Sequence, residues 1–513
     1  MENLYYRPEW TCGRFNKEKQ VALMYNLIEG MSYLFEDYSA EVIGKILSVE
    51  KNGQVSIDDV SLHTLIDKES LLPFFDELLE LKLLTAEVPT VQSIDIYRRK
   101  IGKERKEHPQ SIEQDINDEL SNEARGAEKD YFDKVGGVAN VMFELTYNCS
   151  EKCIHCYNPG ATRNDQEINR RGDRIELQLD DYKRIIDELY NLGLAKVCLS
   201  GGDPFSKPFV WDIIDYLYHK DIAIDIFTNG QNIVHDIQRL ANYYPSIVGI
   251  SIYSGIAEDH DYITRVKGSW ERSMNVVKQL SDLGVPMNLK CCIMRPNVKS
   301  YHLVADIAKE YGAVPQFAVQ LINSLEGDVC VSRYLRLPQE IMELVLRDNK
   351  IPYYVGKEKQ NYGGKKLTKS PVCDDFCITP EGNVQVCNAF PSSIGNLKNR
   401  SFTHILQHSK DLAWWHSITL EHYEECGKYD YCSFCKPCPG VNFAENGNPL
   451  KAAETNCSIA KIRHNLAEKL KQGNDLLNGK TVQECLSAVS IPLLDLEREV
   501  KHNYRDKKLI ESG

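Results

Sequence analysis

Cys149, Cys153 and Cys156 form the stretch with the clearest capacity for chemistry in this chain. At C-x3-C-x2-C, three thiolates can hold three irons of a 4Fe-4S cubane and leave the fourth iron without a protein ligand. A four-cysteine set completes an electron-transfer cluster or closes a zinc site, whereas an open iron offers a coordination position to a small molecule. Two plainer readings stand beside this one. The set is a zinc knuckle completed by His155, which needs a cramped loop, or it is three unrelated buried thiols. The apolar alternation Val141, Phe143, Leu145 precedes it, so the cysteines open a loop at a strand end.

This stretch resembles the signature of the radical S-adenosylmethionine (radical SAM) enzymes, C-x3-C-x-Φ-C, with His155 at the usually aromatic Φ position. The resemblance implies that the open iron chelates the amino and carboxylate groups of S-adenosylmethionine. One-electron reduction then releases a 5'-deoxyadenosyl radical that takes a hydrogen atom from the substrate. Such chemistry belongs to the cofactor, and the protein supplies binding, orientation and exclusion of side reactions.

The elements that position this loop run from 138 to 330. Strands are predicted at Val138 to Thr146, Lys196 to Leu199, Ala223 to Thr228, Ile247 to Tyr253, Met287 to Met294 and Gln316 to Leu321, with helical patterns between them. The predicted fold class is α/β, a partial (β/α)6 TIM-type barrel with chemistry at the C-terminal ends of its strands. Ser200-Gly201-Gly202-Asp203-Pro204 follows the second strand; its glycines permit close backbone approach to a ligand, although the same residues also make an ordinary turn. It resembles the family's GGE-type motif, in which case Asp203 accepts from the methionine ammonium. By the same resemblance Asn229 and Ser251 face the cofactor, Ser251 at the ribose, and Arg265 pairs with the methionine carboxylate. Arg265 is read equally well as a surface helix charge. Cys198, Cys291, Cys292 and Cys330 read as buried thiols, one of which could donate hydrogen to a substrate radical.

A second cysteine field spans Cys373, Cys377, Cys387, Cys426, Cys432, Cys435, Cys438 and Cys457. Eight thiolates would ligate two cubanes, and Gly382 predicts a hairpin joining Cys377 to Cys387. Cys432-x2-Cys435 and Cys435-x2-Cys438 equally suit zinc. After the barrel, the field resembles a SPASM domain, with its central spacings altered. The implied partition is Cys373, Cys377, Cys387 and Cys438 against Cys426, Cys432, Cys435 and Cys457. One cluster at S-adenosylmethionine and two auxiliary clusters make three 4Fe-4S clusters in all.

The chain of 513 residues has a net charge of -13 and no concentrated basic face, which argues against nucleic-acid binding. Composition is 42% hydrophobic and 26% charged, with a mean hydropathy of -0.40. No long apolar run or signal-peptide pattern appears, so a cytoplasmic protein without a membrane is expected. In that reducing compartment the seventeen cysteines point to metal rather than disulfides, and to oxygen sensitivity.

Six regions are expected: a winged-helix-like α+β domain at 1–90, a charged, solvated linker at 91–137, the barrel at 138–330, a connecting segment at 331–372, the SPASM field at 373–460 and a helical tail at 461–513. Residues 1–90 resemble the PqqD-type leader-recognition domain, with a hairpin turn at Glu29-Gly30, a helix over Ala40 to Leu47 and another with Leu72, Phe75, Leu79 and Leu83 on one side. The combination implies a maturase that cross-links a ribosomally made precursor peptide carrying a leader. Its electrons would come from an external flavodoxin- or ferredoxin-type reductant. Peptide epimerisation, sulfatase-maturase-like activity and a zinc-holding, non-catalytic peptide-binding scaffold are the alternatives.

Overall fold

The computed structural model describes residues 4–108, 119–136, 138–158, 176–322, 335–348, 376–390, 392–435, 437–472 and 477–491. Cys330, Cys373, most of the connecting segment and the charged tail from Glu497 lie outside them. The chain begins with β1 (Tyr5–Tyr6), β2 (Thr11–Asn16), β3 (Val21–Asn26), β4 (Met31–Glu36) and β5 (Gln54–Val55). β2, β3 and β4 form an antiparallel meander, and β1 pairs with β5. Every β3 residue is buried because both faces of the sheet are covered. Ala22 and Met24 face a core made with helices Asp37–Leu47, Ile57–Thr64 and Lys68–Glu80, while Val21, Leu23 and Tyr25 join a second core. The buried stripe of helix Lys68–Glu80 is Leu71, Phe75 and Leu78. It is turned from the predicted Leu72 and Leu79 side: Leu71 and Leu78 are buried in this core while the other two stay partly exposed.

That second core is formed against the barrel. Ala139 and Ala195, each just before a barrel strand, and Ala223, the first residue of another, present small side chains on which Trp10, Leu23 and Tyr25 settle. Helix Val91–Glu107 buries Ile94, Arg98, Ile101 and Gly102. Arg98 donates to the Ala241 carbonyl, and Arg105 donates to the carbonyls of Gly284 at 2.8 Å and Ile28 at 2.6 Å. A Cβ on Gly102 would come 3.1 Å from Gly284 Cα, so backbone lies nearly on backbone. Helix Glu119–Val135 adds buried Ala127 and Tyr131, and Glu128 accepts from Lys196 at 3.0 Å. The predicted solvated linker is therefore a two-helix clamp under the barrel. Its charge density misleads because the buried stripe contains an arginine whose guanidinium is satisfied by main-chain carbonyls.

The barrel strands are β6 (Asn140–Glu144), β7 (Lys196–Ser200), β8 (Ala223–Thr228), β9 (Ile247–Ser251), β10 (Met287–Cys292) and β11 (Val314–Ala318), parallel in that order. Its helices carry regular stripes. In Leu179–Asn191, Tyr182, Ile185, Ile186 and Leu189 are buried, and Gln178 with Asp181 forms a capping box. An open barrel leaves a strand edge, and here the chain covers it itself. β12 (Phe376–Ile378) runs parallel to β6, followed by antiparallel β13 (Asn383–Gln385) and β14 (Ser393–Asn396), giving a nine-stranded mixed sheet. Gly382, at φ +84°, turns the β12–β13 hairpin as predicted. Helix Glu454–Lys471 carries Cys457 and runs through the expected boundary at 460/461. No helix among the described residues is long and apolar enough to cross a membrane.

Candidate active site

The loop that leaves β6 is held from two sides. Thr146 O accepts from Gly202 N at 2.7 Å, and Asn148 O accepts from Asp203 N at 3.0 Å. Opposite, Lys152 N and Ile154 N each donate at 2.9 Å to the carbonyls of Thr264 and Ile263, at the end of helix Ala257–Thr264. The glycines after β7 serve this contact. A Cβ on Gly201 would stand 2.4 Å from Thr146 O, and one on Gly202 would stand 2.4 Å from Asn148 O. The close approach they permit is thus to the cysteine loop, although both also line the cavity beneath it.

That cavity, about 840 Å³, opens at the C-terminal ends of the strands and takes Cys149, Cys153 and Cys156 into its wall. Cys149 Sγ accepts from Asn229 Nδ2 at 3.3 Å and from Glu151 N at 3.4 Å. Burial pushes the Cys149 thiol up to about 12, and Asp203, Glu151 and Cys156 push the same way. Cys153 and Cys156 are also raised, first by burial, and Cys153 further by Glu151 and by the other two cysteines. Three desolvated thiols become thiolates together only against a cationic partner, and Cys149, Cys153 and Cys156 would be the residues to hold an iron-sulfur cubane there. His155 stands edge-on to Tyr253 at 4.6 Å, its Nδ1 has no hydrogen-bond partner, and burial lowers it to about 4. It is an aromatic part of the cavity wall.

A model of the radical SAM superfamily matches residues 143–299. Those residues form a radical SAM domain. Among the chain's relatives, the AdoMet-dependent heme synthase of Methanosarcina barkeri (strain Fusaro / DSM 804) is 25% identical over 340 residues, covering 61% of this chain and 94% of that protein. The antilisterial bacteriocin subtilosin biosynthesis protein AlbA of Bacillus subtilis (strain 168) is 26% identical over 336 residues, covering 63% and 71%. Of solved structures, Streptococcus suis SuiB bound to precursor peptide SuiA aligns with a TM-score of 0.51 at 13% identity, covering 88% of this chain and 99% of that one. That likeness is one of fold.

Within the radical SAM domain, Gly201, Gly202, Asn229 and Ser251 meet the three cysteines at one cavity. Asp203 does not. It is fully buried, with Oδ1 accepting from Thr228 Oγ1 at 2.5 Å and Oδ2 from Asn232 Nδ2 at 2.9 Å. A side chain one methylene shorter than glutamate is drawn into a polar lock between β7 and β8 and is not among the cavity's lining residues. Arg265 is not among them either; it is exposed and caps helix Ala257–Thr264 in the left-handed conformation at φ 58°.

Tyr253 and Lys290, which sequence reasoning passed over, and Cys292, read there among the buried thiols, all lie on the cavity wall. Strand alternation could have found two of them, since Lys290 and Cys292 share the inward face of β10. Cys291 points the other way and is buried, its Sγ donating to the Tyr253 carbonyl at 3.4 Å. Of Cys198, Cys291 and Cys292, it is Cys292 that lines the cavity.

The second cysteine field comes close to the first. Tyr157, next to Cys156, accepts from Asn388 Nδ2 at 3.1 Å, and Asn388 follows Cys387. Cys377 and Cys387 act on each other electrostatically across the hairpin. Cys426, Cys432, Cys435 and Cys457 interact with one another, and Cys438 acts on Cys435 as well. Cys438 precedes Gly440, whose Cβ would stand 2.7 Å from the Ala389 carbonyl, so its segment lies beside Cys387. Cys373 lies outside the described residues.

Proposed function

We propose that this radical SAM protein installs a cross-link, thioether or carbon-carbon or ether, in a ribosomally made precursor peptide. The observation that carries the reading is the junction at Tyr157 and Asn388, where the cluster-loop cavity meets the second cysteine field. Closing a cross-link removes two hydrogens from the peptide, one of them as a proton and an electron, so an electron acceptor at the cavity wall suits that outcome. AlbA, by its name a bacteriocin biosynthesis protein, and SuiB, solved with a precursor peptide, support the substrate class. When bound, the cluster and S-adenosylmethionine supply hydrogen-atom abstraction. The chain's own part is to seat the cluster on Cys149, Cys153 and Cys156, to face the cofactor with Asn229 and Ser251, and to wall the cavity with His155 and Tyr253.

In this reading the auxiliary clusters divide as Cys373, Cys377, Cys387 and Cys438 against Cys426, Cys432, Cys435 and Cys457. The N-terminal domain, of PqqD type, receives the leader. It sits under the strands' N-terminal ends, so the peptide runs up the barrel's flank to the cavity rather than swinging on a tether. A flavodoxin- or ferredoxin-type donor supplies the electron in the cytoplasm.

The test is iron and sulfide content with electron paramagnetic resonance on anaerobically reconstituted protein, beside a variant with Cys149, Cys153 and Cys156 all changed to Ala. About twelve irons per chain, falling to about eight in the variant as 5'-deoxyadenosine release stops, is expected at four irons per cubane. About four irons with zinc would remove the auxiliary redox role, and no iron would overturn the enzyme reading. A precursor peptide encoded beside the gene should then lose two hydrogens per turnover by mass.

A further inference from the structure

Asn229, just after β8, has each of its polar groups held in a set direction. Its main-chain N–H bonds the buried Asp203 carboxylate, and its carbonyl accepts from Ser273 Oγ at 2.7 Å. Its side-chain Oδ1 accepts from the main-chain N–H of Gln231 at 3.0 Å. A main-chain N–H only donates, so the amide oxygen belongs on that side and the amide nitrogen is turned the other way. There Nδ2 meets Cys149 Sγ at 3.3 Å and Ser150 Oγ at 3.4 Å. The residue is buried, and its amide hydrogens are directed at the three-cysteine loop.

Cys149 and Cys156 each accept a main-chain N–H from two residues further on, Glu151 and Asn158, a pattern local to the loop. The Asn229 amide is a donor of another kind, delivered from a different strand end and fixed by bonds of its own. Against a neutral thiol such a donor gains little, because that sulfur is a weak acceptor; against a thiolate the bond is charge-assisted. The arrangement therefore suits a Cys149 that carries charge, as an iron ligand does. Hydrogen bonds to cluster sulfurs are among the factors that set an iron-sulfur potential. Each draws charge from the sulfur and so favours the state that holds the extra electron.

We propose that Asn229 is a positioning residue for electron entry: its amide, donating to Cys149 Sγ, raises the reduction potential of the cluster that Cys149, Cys153 and Cys156 would hold. The inference rests on the radical SAM reading of the cavity. It gives Asp203 a part as well, since the carboxylate withdrawn from the cavity holds the main chain of Asn229.

The test is a reductive titration followed by electron paramagnetic resonance on anaerobically reconstituted protein, reading the cluster signal that changes when S-adenosylmethionine is added. Wild type is compared with Asn229→Leu, which removes the amide, and with Asn229→Asp, which keeps the turn to Gln231 and loses the donor. At matched iron content both variants should favour the oxidised cluster by at least about 10-fold, which for one electron is about 59 mV. Pulsed resonance on wild type carrying isotopically labelled asparagine should show a coupled side-chain nitrogen that Asn229→Leu lacks. An unchanged potential in Asn229→Leu would overturn the proposal, since a shift in Asn229→Asp alone reports only its added charge. A wild-type cluster with no coupled asparagine nitrogen would overturn it too, whatever iron the variants retain. Wild type that forms no cluster responsive to S-adenosylmethionine would sink the radical SAM reading together with this one.

Discussion

Gly202→Ala isolates the contact that holds the cluster loop. Gly202 has no left-handed backbone to strain, so the added methyl acts by collision alone. It would lie 2.4 Å from Asn148 O and 2.6 Å from Tyr147 O, where ordinary contact begins near 3.4 Å. The loop must therefore retreat by about 1 Å just before Cys149, stretching the hydrogen bonds Gly202 N to Thr146 O and Asp203 N to Asn148 O. Two weakened main-chain bonds cost about 1–3 kcal/mol. A reacting centre displaced by about 1 Å loses on the order of 100-fold in rate. Iron content and 5'-deoxyadenosine release on reconstituted protein should show a depleted or misplaced cluster. Full iron loading with wild-type deoxyadenosine release in Gly202→Ala would refute the argument that these glycines exist to seat the loop.

Arg265→Gly should leave S-adenosylmethionine affinity unchanged and stabilise the fold by up to about 1 kcal/mol, because glycine takes the left-handed cap without strain; thermal unfolding and equilibrium binding check both halves. Asp203→Asn places an amide donor against Thr228 or Asn232 and should cost about 1–3 kcal/mol, seen in unfolding and in poorer cluster retention. Arg105→Ala removes the bonds to Gly284 and Ile28. It should loosen the two-helix clamp, so that limited proteolysis cuts between the N-terminal domain and the barrel sooner than in wild type.

Local pattern carried a long way here. Cys149, Cys153 and Cys156 were legible because ligand spacing in a short loop is a property of the chain itself, and the six barrel strands were legible because each is a run of apolar residues between helical stripes. The hairpin at Gly382 was legible for the same reason, since a tight turn between two short strands is written in adjacent residues.

Other features depended on which segments meet. Asp203 and Arg265 carry suitable chemistry in suitable places along the sequence. The fold nevertheless withdraws one into a lock with Thr228 and Asn232 and leaves the other on a helix cap in solvent, because side-chain direction and competing partners are set by neighbours on other strands. The pairing of β12 with β6, and the approach of Asn388 to Tyr157, join segments far apart in the chain, and no periodicity records such a contact. The clamp beneath the barrel was hidden by its own charge, for an arginine that ends on main-chain carbonyls looks like a surface residue until those carbonyls are located. The sequence by itself determined the three-cysteine loop at a strand end, the six strands of the barrel and the second cysteine field. Only the tertiary structure decided which polar groups face the cavity, because burial, pairing and the direction of a side-chain amide such as that of Asn229 are properties of assembled surfaces.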